Sequence, residues 1–263
     1  MTASMICVLG VAVMGLPEGA AGVTCCSTGN HGRGVAYAAA KRGMRAVICM
    51  SELVPRAKVD GIKALGAEVA IVGTSQDDAL AESQRLVEAE GLVEISPFDD
   101  PAVIAGQGTI GLEMMEARPD LDTILVPLSG GGLAAGVAVA AKSINPRMKV
   151  IGISMDRGAA MHASITAGHP VEVEEVPSLA DSLGGGIGLD NMQVLFFEDR
   201  IVAEGACVVG MAATLAGKLP KPSGPVGTII TGRNLDMQMF HRIMGGEDIV
   251  LGHLTLKGKC YGE

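Results

Sequence analysis

The sequence predicts an α/β protein built on parallel sheets, and three observations carry that prediction. From residue 23 onward, short β-branched or aliphatic runs alternate with helical stretches, the rhythm that crossover helices impose on parallel strands. Glycine-rich turns punctuate the runs, and glycine accounts for 37 of 263 residues. Apolar residues make up 48% of the chain and charged residues only 19%, enough to bury the core of one large or two modest domains.

The elements follow in order. Met5–Leu16 is apolar but too short to span a bilayer, and no Lys or Arg precedes it as in a secretory signal, so it reads as a buried element at the chain start. Val23–Cys26 is an apolar run. Arg45–Met50 and Glu68–Val72 read as strands, and Pro55–Leu65 and Gln76–Glu90 as helices. A further helical pattern ends near Glu116, and the polar bend Ala117–Asp122 marks a domain boundary. Beyond it, strands Thr123–Pro127 and Lys149–Ile153 flank the helix Leu133–Ser143, and Val226–Thr231 reads as the final strand. The expected organisation is thus a short leading part (1–21), a small α/β domain (22–117) and a larger α/β domain (118–263).

Composition excludes several kinds of partner. The formal charge is −9 with no basic run, whereas nucleic acids and acidic membranes are bound by clustered Lys and Arg. Aromatic residues are 2% of the chain and Trp is absent, which removes base-stacking platforms. Cys7, Cys25, Cys26, Cys49, Cys207 and Cys260 show no CxxC spacing and mostly lie in apolar runs. They read as reduced thiols of a cytoplasmic protein. A small molecule is the expected partner, with no metal.

Open parallel sheets bind ligands beyond the carboxyl ends of their strands, so the turns there are where chemistry is sought. Ser129-Gly130-Gly131-Gly132-Leu133 lies between a strand and a small-residue helix. Its amides can turn toward one point at the positive end of the helix dipole, which suits a phosphate; a tight, closely packed turn is the plainer reading. Ser27-Thr28-Gly29-Asn30-His31 opens a helix after Val23–Cys26. Hydroxyls, an amide and N–H groups there suit a carboxylate, while an ordinary N-cap is the alternative. Thr231-Gly232-Arg233-Asn234 presents a hydroxyl after the last expected strand, and Asp181 with Gly184–Gly186 forms another loop. No GxGxxG with a downstream acidic residue appears, which disfavours a nucleotide-binding oxidoreductase.

Together these segments resemble the fold-type II pyridoxal-phosphate enzymes, in the branch that holds threonine dehydratase, serine racemase and the hydroxyectoine-utilisation dehydratases. The resemblance runs from about Leu16 to about Phe240. It is carried by Ser27–Gly32, Pro55-Arg56-Ala57-Lys58-Val59, Leu65-Gly66-Ala67-Glu68-Val69, Gly106-Gln107-Gly108-Thr109-Ile110 and Ser129–Leu133. Met155–Met161 and Leu179–Gly186 look most like the hydroxyectoine-utilisation dehydratases. The resemblance implies a tryptophan-synthase-β-like fold, with two open, mostly parallel sheets flanked by helices, and a homodimer.

It also implies roles. Ser129, Gly130, Gly131, Gly132 and Leu133 would cradle the phosphate of pyridoxal 5′-phosphate, Asn30 would bond its phenolic oxygen, and Glu204 matches an acid near the ring. Thr231 would face the ring nitrogen, where a hydroxyl gives a weaker electron sink than a carboxylate and favours β-elimination. Ser27, Thr28, Gly29, Asn30 and His31 would hold the substrate carboxylate, with Thr28 a candidate acid or base. The implied reaction removes water and ammonia from a small 3-hydroxy amino acid, giving a keto acid.

The chain departs from the family pattern in places. The family's Schiff-base lysine lies upstream of the Ser27–His31 turn; here Met5 takes its place, and no Lys precedes Lys41. Between Asn191 and Phe196 about one strand and one helix fewer are expected than in relatives. The metal ligands of serine racemase fall on Ser154 and Ala160, so no divalent cation is expected there. The absent lysine raises a second reading, a non-catalytic remnant or regulatory partner that keeps the fold.

Overall fold

A computed structural model describes residues 12–13, 15–16, 18–27, 29–52, 54, 56–155, 159–171, 173 and 190–262. Thr28, Pro55, Asp181 and the Gly184–Gly186 loop lie outside the described residues, as does most of the apolar segment at the start. The chain divides into two compact units, Met1–Gly111 and Leu112–Glu263.

In the first unit, strands β1 (Val23–Cys26), β2 (Ala46–Met50), β3 (Glu68–Ile71) and β4 (Val93–Glu94) form a sheet in the order β3-β2-β1-β4, with every pairing parallel. Helices α1 (Asn30–Lys41), α2 (Arg56–Lys63) and α3 (Gln76–Glu90) make the crossovers. β2 is apolar at every position because it is covered on both faces. Ile48 and Met50 pack with Val35, Ala36 and Ala39 of α1, while Val47 and Cys49 pack with Ala79 and Leu86 of α3. The small residues of α1 let it approach the sheet closely. A capping box starts α3, with Ser75 accepting from the Asp78 amide and the Asp78 side chain accepting in return from the Ser75 amide.

Helix α4 (Pro101–Ala117) runs through the division between the units. Its last turn continues as a chain of turns, Arg118 N–H to Met114 O and Leu121 N–H to Arg118 O, leading into the second sheet.

The second unit holds β5 (Thr123–Pro127) between β6 (Lys149–Ile153) and β7 (Val226–Thr228), both parallel to it. Every residue of β5 is buried. Pro127 ends this central strand without breaking its ladder, because the Leu128 amide supplies the next bond to Ile153 O at 2.8 Å. Helix α5 (Gly132–Ile144) follows, then α6 (Ala160–Ala167), α7 (Asp190–Asp199), a 3-10 turn (Gly205–Cys207), α8 (Val209–Leu215) and α9 (Met237–Met244). A satellite core joins Met192 and Leu195 of α7 to Phe240 and Ile243 of α9.

The expected final strand is corrected. β7 ends at Thr228, and after the Ile229 amide bonds Leu125 O the chain leaves the ladder, Gly232 O accepting instead from the Glu204 amide. Two more strands follow, β8 (Ile249–Leu251) and β9 (Leu254–Leu256), paired as a small antiparallel hairpin. Three residues each are too few for a periodic signal in sequence.

The amino ends of the second sheet are tied by one carboxylate. Asp122 accepts from Ser223 Oγ at 2.7 Å, Thr123 Oγ1 at 2.8 Å and Lys149 Nζ at 3.4 Å. These bonds, from Ser223 first, hold its carboxyl down to about 2. A carboxylate with a depressed folded pKa stabilises the fold above its unfolded pKa of about 3.9, and that contribution is lost as pH falls toward 2. Asp122→Ala is therefore expected to melt at lower temperature than the parent at pH 7. The gap should shrink steadily between pH 4 and pH 2, as followed by circular dichroism; a gap independent of pH would contradict this assignment.

Candidate functional site

In the first unit, the chain leaves β1 at Ser27 and enters α1 at Asn30, with Gly29 as the N-cap. No side chain caps the helix. Ser27 Oγ accepts instead from the Gly29 amide at 3.3 Å, closing the turn upon itself and leaving the first amides of α1 to point out of the helix end, as amides at a helix start do. Gly32 is required by close approach, since a Cβ there would lie 2.5 Å from Ser27 O and 3.1 Å from the Ile48 side chain.

His31 is anchored away from this opening. Its Nε2 lies 2.8 Å from Ile95 O; a carbonyl only accepts, so that nitrogen carries a hydrogen and donates. Burial pushes the imidazole down to about 4, outweighing the Ile95 carbonyl and Asp100, which both favour the cation. His31 is thus neutral at pH 7, and its ring holds the turn against the end of β4. Its backbone amide belongs to the first turn of α1. Thr28 lies outside the described residues.

In the second unit, Ser129, Gly130 and Gly131 make the turn from β5 to α5, whose first two residues are Gly132 and Leu133. Gly131 is the N-cap, with φ 99° and ψ −19°, and no side chain caps the helix. A side chain there would be strained by the left-handed backbone and would stand 2.9 Å from Met161 Cε. Gly132 is buried, Leu133 is half-buried and Ser129 is exposed. The turn therefore offers backbone amides and a hydroxyl at a helix start, with no acidic group in the first turn of α5.

On the neighbouring strand the chain passes from β7 to Thr231. Thr231 Oγ1 lies 2.9 Å from Cys207 Sγ, and that thiol donates to Glu204 Oε1 at 3.4 Å. Glu204 is buried, 4% exposed, and its amide bonds Gly232 O. Two residues singled out separately in sequence, Glu204 and Thr231, thus belong to one hydrogen-bonded group joined by Cys207, which sequence reasoning passed over. A signal existed: residues three apart in a 3-10 turn stand on one side of it, and Glu204 and Cys207 are so spaced. Burial, with Glu204 next, pushes the Cys207 thiol far up, so it remains an S–H group.

Comparison with known proteins adds the following. Residues 5–196 match the family described as pyridoxal-phosphate dependent enzyme. The chain is 51% identical over 252 residues to a Sinorhizobium fredii protein provisionally named threonine dehydratase, covering 86% of this chain and 76% of that one. It is 40% identical over 246 residues to L-threonine ammonia-lyase of Thermotoga maritima, covering 85% and 61%. Among solved structures it is similar to maize serine racemase, with a TM-score of 0.85 and 28% identity, covering 92% of this chain and 82% of the other. The processed form of threonine deaminase isoform 2 from Solanum lycopersicum gives a TM-score of 0.81 and 30% identity, covering 92% and 78%.

Two outcomes are expected from the geometry. Gly131→Ala should cost about 1–2 kcal/mol of stability for the left-handed backbone and weaken binding of inorganic phosphate; unchanged phosphate affinity would remove this turn from consideration. For His31, the unfolded chain binds more protons between its unfolded pKa of about 6.5 and the folded value of about 4. Stability is therefore fully present above pH 6.5 and falls as pH drops to 4. His31→Gln, which keeps an N–H donor but does not titrate, should flatten that slope in denaturant melts.

Proposed function

The chain belongs to the pyridoxal-phosphate-dependent enzymes, and from that membership we propose that it eliminates water from a small 3-hydroxy amino acid, releasing a keto acid and ammonia. The observation that carries this reading is the turn at Gly131, left-handed and uncapped by any side chain at the start of α5. We read it as a cradle for a phosphate group, its glycine required by the left-handed backbone, with a Cβ there 2.9 Å from Met161 Cε. The donor set supports the rest of the cofactor: the Thr231 hydroxyl, 2.9 Å from Cys207 Sγ, would face the ring nitrogen, with the buried Glu204 in the same hydrogen-bonded group. When bound, the cofactor supplies an electron sink for the charge left on the substrate carbon that loses its proton.

The residues of this chain then take distinct parts. Amides of Gly130 to Leu133, aided by the α5 dipole, hold the phosphate dianion in place. Ser27, Thr28, Gly29, Asn30 and His31 would hold the substrate carboxylate through hydroxyls and helix-start amides, and the family resemblance assigns Asn30 to the cofactor's phenolic oxygen. The neutral His31 ring keeps that turn rigid, so its donors need little reordering on binding. Thr28 is the candidate acid or base on one substrate face. The names of the relatives support threonine as substrate; serine, hydroxyaspartate and a hydroxyectoine-derived acid are the alternatives. The buried, unpaired thiols Cys25, Cys26, Cys49 and Cys207 support a cytoplasmic site of action, and a homodimer is the expected assembly.

A second reading, a non-catalytic member that keeps the fold, follows from the sequence as given: no Lys precedes Lys41, and an ungapped reading sets Met5 where the family's Schiff-base lysine lies. A single experiment separates the two. Pyridoxal phosphate is added to the purified chain, protonated-imine absorption is followed, and borohydride reduction is combined with peptide mapping. An adduct on one specific Lys, with keto-acid release from threonine or serine, is expected of the enzyme. Cofactor binding without imine or turnover would establish the non-catalytic reading.

A further inference from the structure

We infer that the loop Ser96–Asp100 selects the substrate's side chain: Phe98 receives a small apolar group such as the methyl of threonine, and Asp99 beside it turns away a side chain that carries a second carboxylate. This rests on the proposed placement of the substrate carboxylate at the Ser27–His31 turn.

β1 and β4 are adjacent and parallel, with Val23 opposite Val93 and Thr24 opposite Glu94. The segments leaving their carboxyl ends therefore emerge side by side, about 5 Å apart. Two bonds tie them. The Ile95 amide donates to Thr24 O at 2.9 Å, and His31 Nε2 donates to Ile95 O at 2.8 Å. Past Ile95 the loop is fixed by its own side chains. Ser96 Oγ accepts from the Phe98 amide at 3.3 Å and donates to Asp99 Oδ1 at 2.9 Å. Asp100 Oδ1 accepts from the amides of Ala102 and Val103 at 2.7 and 3.1 Å, at the start of α4.

These bonds hold Phe98 with 54% of its surface exposed, whereas the other three Phe rings of the chain, Phe196, Phe197 and Phe240, pack on one another. A lone apolar side chain on a surface is ordinary. What distinguishes Phe98 is that its loop is ordered and bonded to the substrate turn, so the ring offers apolar surface there at little ordering cost.

Charge points to the same selection. Asp99 is exposed next to Phe98, and its closeness to Glu94 shows in the Glu94 carboxyl, which burial first and then Asp99 push up. Surroundings that disfavour charge on Glu94 also disfavour a second carboxylate on the substrate. The basic side chain near the start of α1 leans elsewhere: the Arg33 guanidinium lies 3.5 Å from where a Cβ on Gly61 of α2 would stand. α2 is the crossover from β2 to β3, and the sheet order β3-β2-β1-β4 sets those strands on the side of β1 away from β4.

The test uses the full chain loaded with pyridoxal phosphate and carrying 4-fluorophenylalanine, with Phe98→Leu identifying the Phe98 fluorine signal. Threonine is expected to move that signal. A signal that ignores threonine would overturn the inference, as would one that moves only with protein concentration, which would make Phe98 a contact between copies. Calorimetric affinities for threonine, serine and 3-hydroxyaspartate are then compared in the parent, Phe98→Ala and Asp99→Asn, with circular dichroism confirming that each folds. Loss of the ring is expected to lower the preference for threonine over serine about fourfold, the effect of one methyl group. Asp99→Asn, which keeps the acceptor for Ser96, should strengthen hydroxyaspartate binding about two- to fivefold, an increase that added salt reduces, with threonine unmoved. An unchanged ratio in either variant removes that residue from the role while the substrate reading stands. Binding of none of the three amino acids by the parent, with pyridoxal phosphate bound, would sink the substrate reading and this inference with it.

Discussion

Parallel pairing of β5 with β6 on one side and β7 on the other is the constraint on which the second unit depends. Strands that run the same way bring their carboxyl ends to one edge, and each crossover helix then starts at that edge. The turn at Gly131 and the segment reaching Thr231 leave adjacent strands, about 5 Å apart in such a sheet. Neither position needs a long loop to bring it there. The same logic places the Ser27–Asn30 turn at the carboxyl end of β1 in the first unit. Helix starts gather where strands end, so both units present there a helix N-terminus that no side chain caps.

Side chains then remove competing charge. His31 is neutral because burial outweighs the two groups that favour its cation, and it acts as a fixed donor to Ile95 O. Cys207 is an S–H group for the same reason.

Much of this was legible in the sequence because the signals were local. The β5–turn–α5 segment announced itself through an unbroken apolar run, three glycines and a small-residue helix, and Thr123–Pro127 and Gln76–Glu90 begin and end where the pattern placed them. What escaped was set by tertiary partners. The ring of His31 is committed to a carbonyl 64 residues away in sequence, which no spacing rule could reveal. Cys207 looked like one more buried thiol, and its meaning appears only when Thr231, 24 residues on, folds against it. Val226–Thr231 reads as a strand throughout, yet the carbonyl of Gly232 is drawn to the Glu204 amide, which pulls the chain out of the ladder. β8 and β9 are too short to carry a period and exist because they complete the cover over Phe240 and Ile243.

The Asp122 knot sits at the amino edge of the sheet, across its full strand length from the turns at the carboxyl edge. The clasp that steadies the fold and the glycine turn that starts α5 therefore lie on opposite rims of one scaffold. Asp122, Ser223 and Lys149 make that clasp among themselves and Thr123, without a bond to Gly131 or Thr231 among the described contacts. Sturdiness can therefore be set at one rim with little disturbance of the backbone at the other.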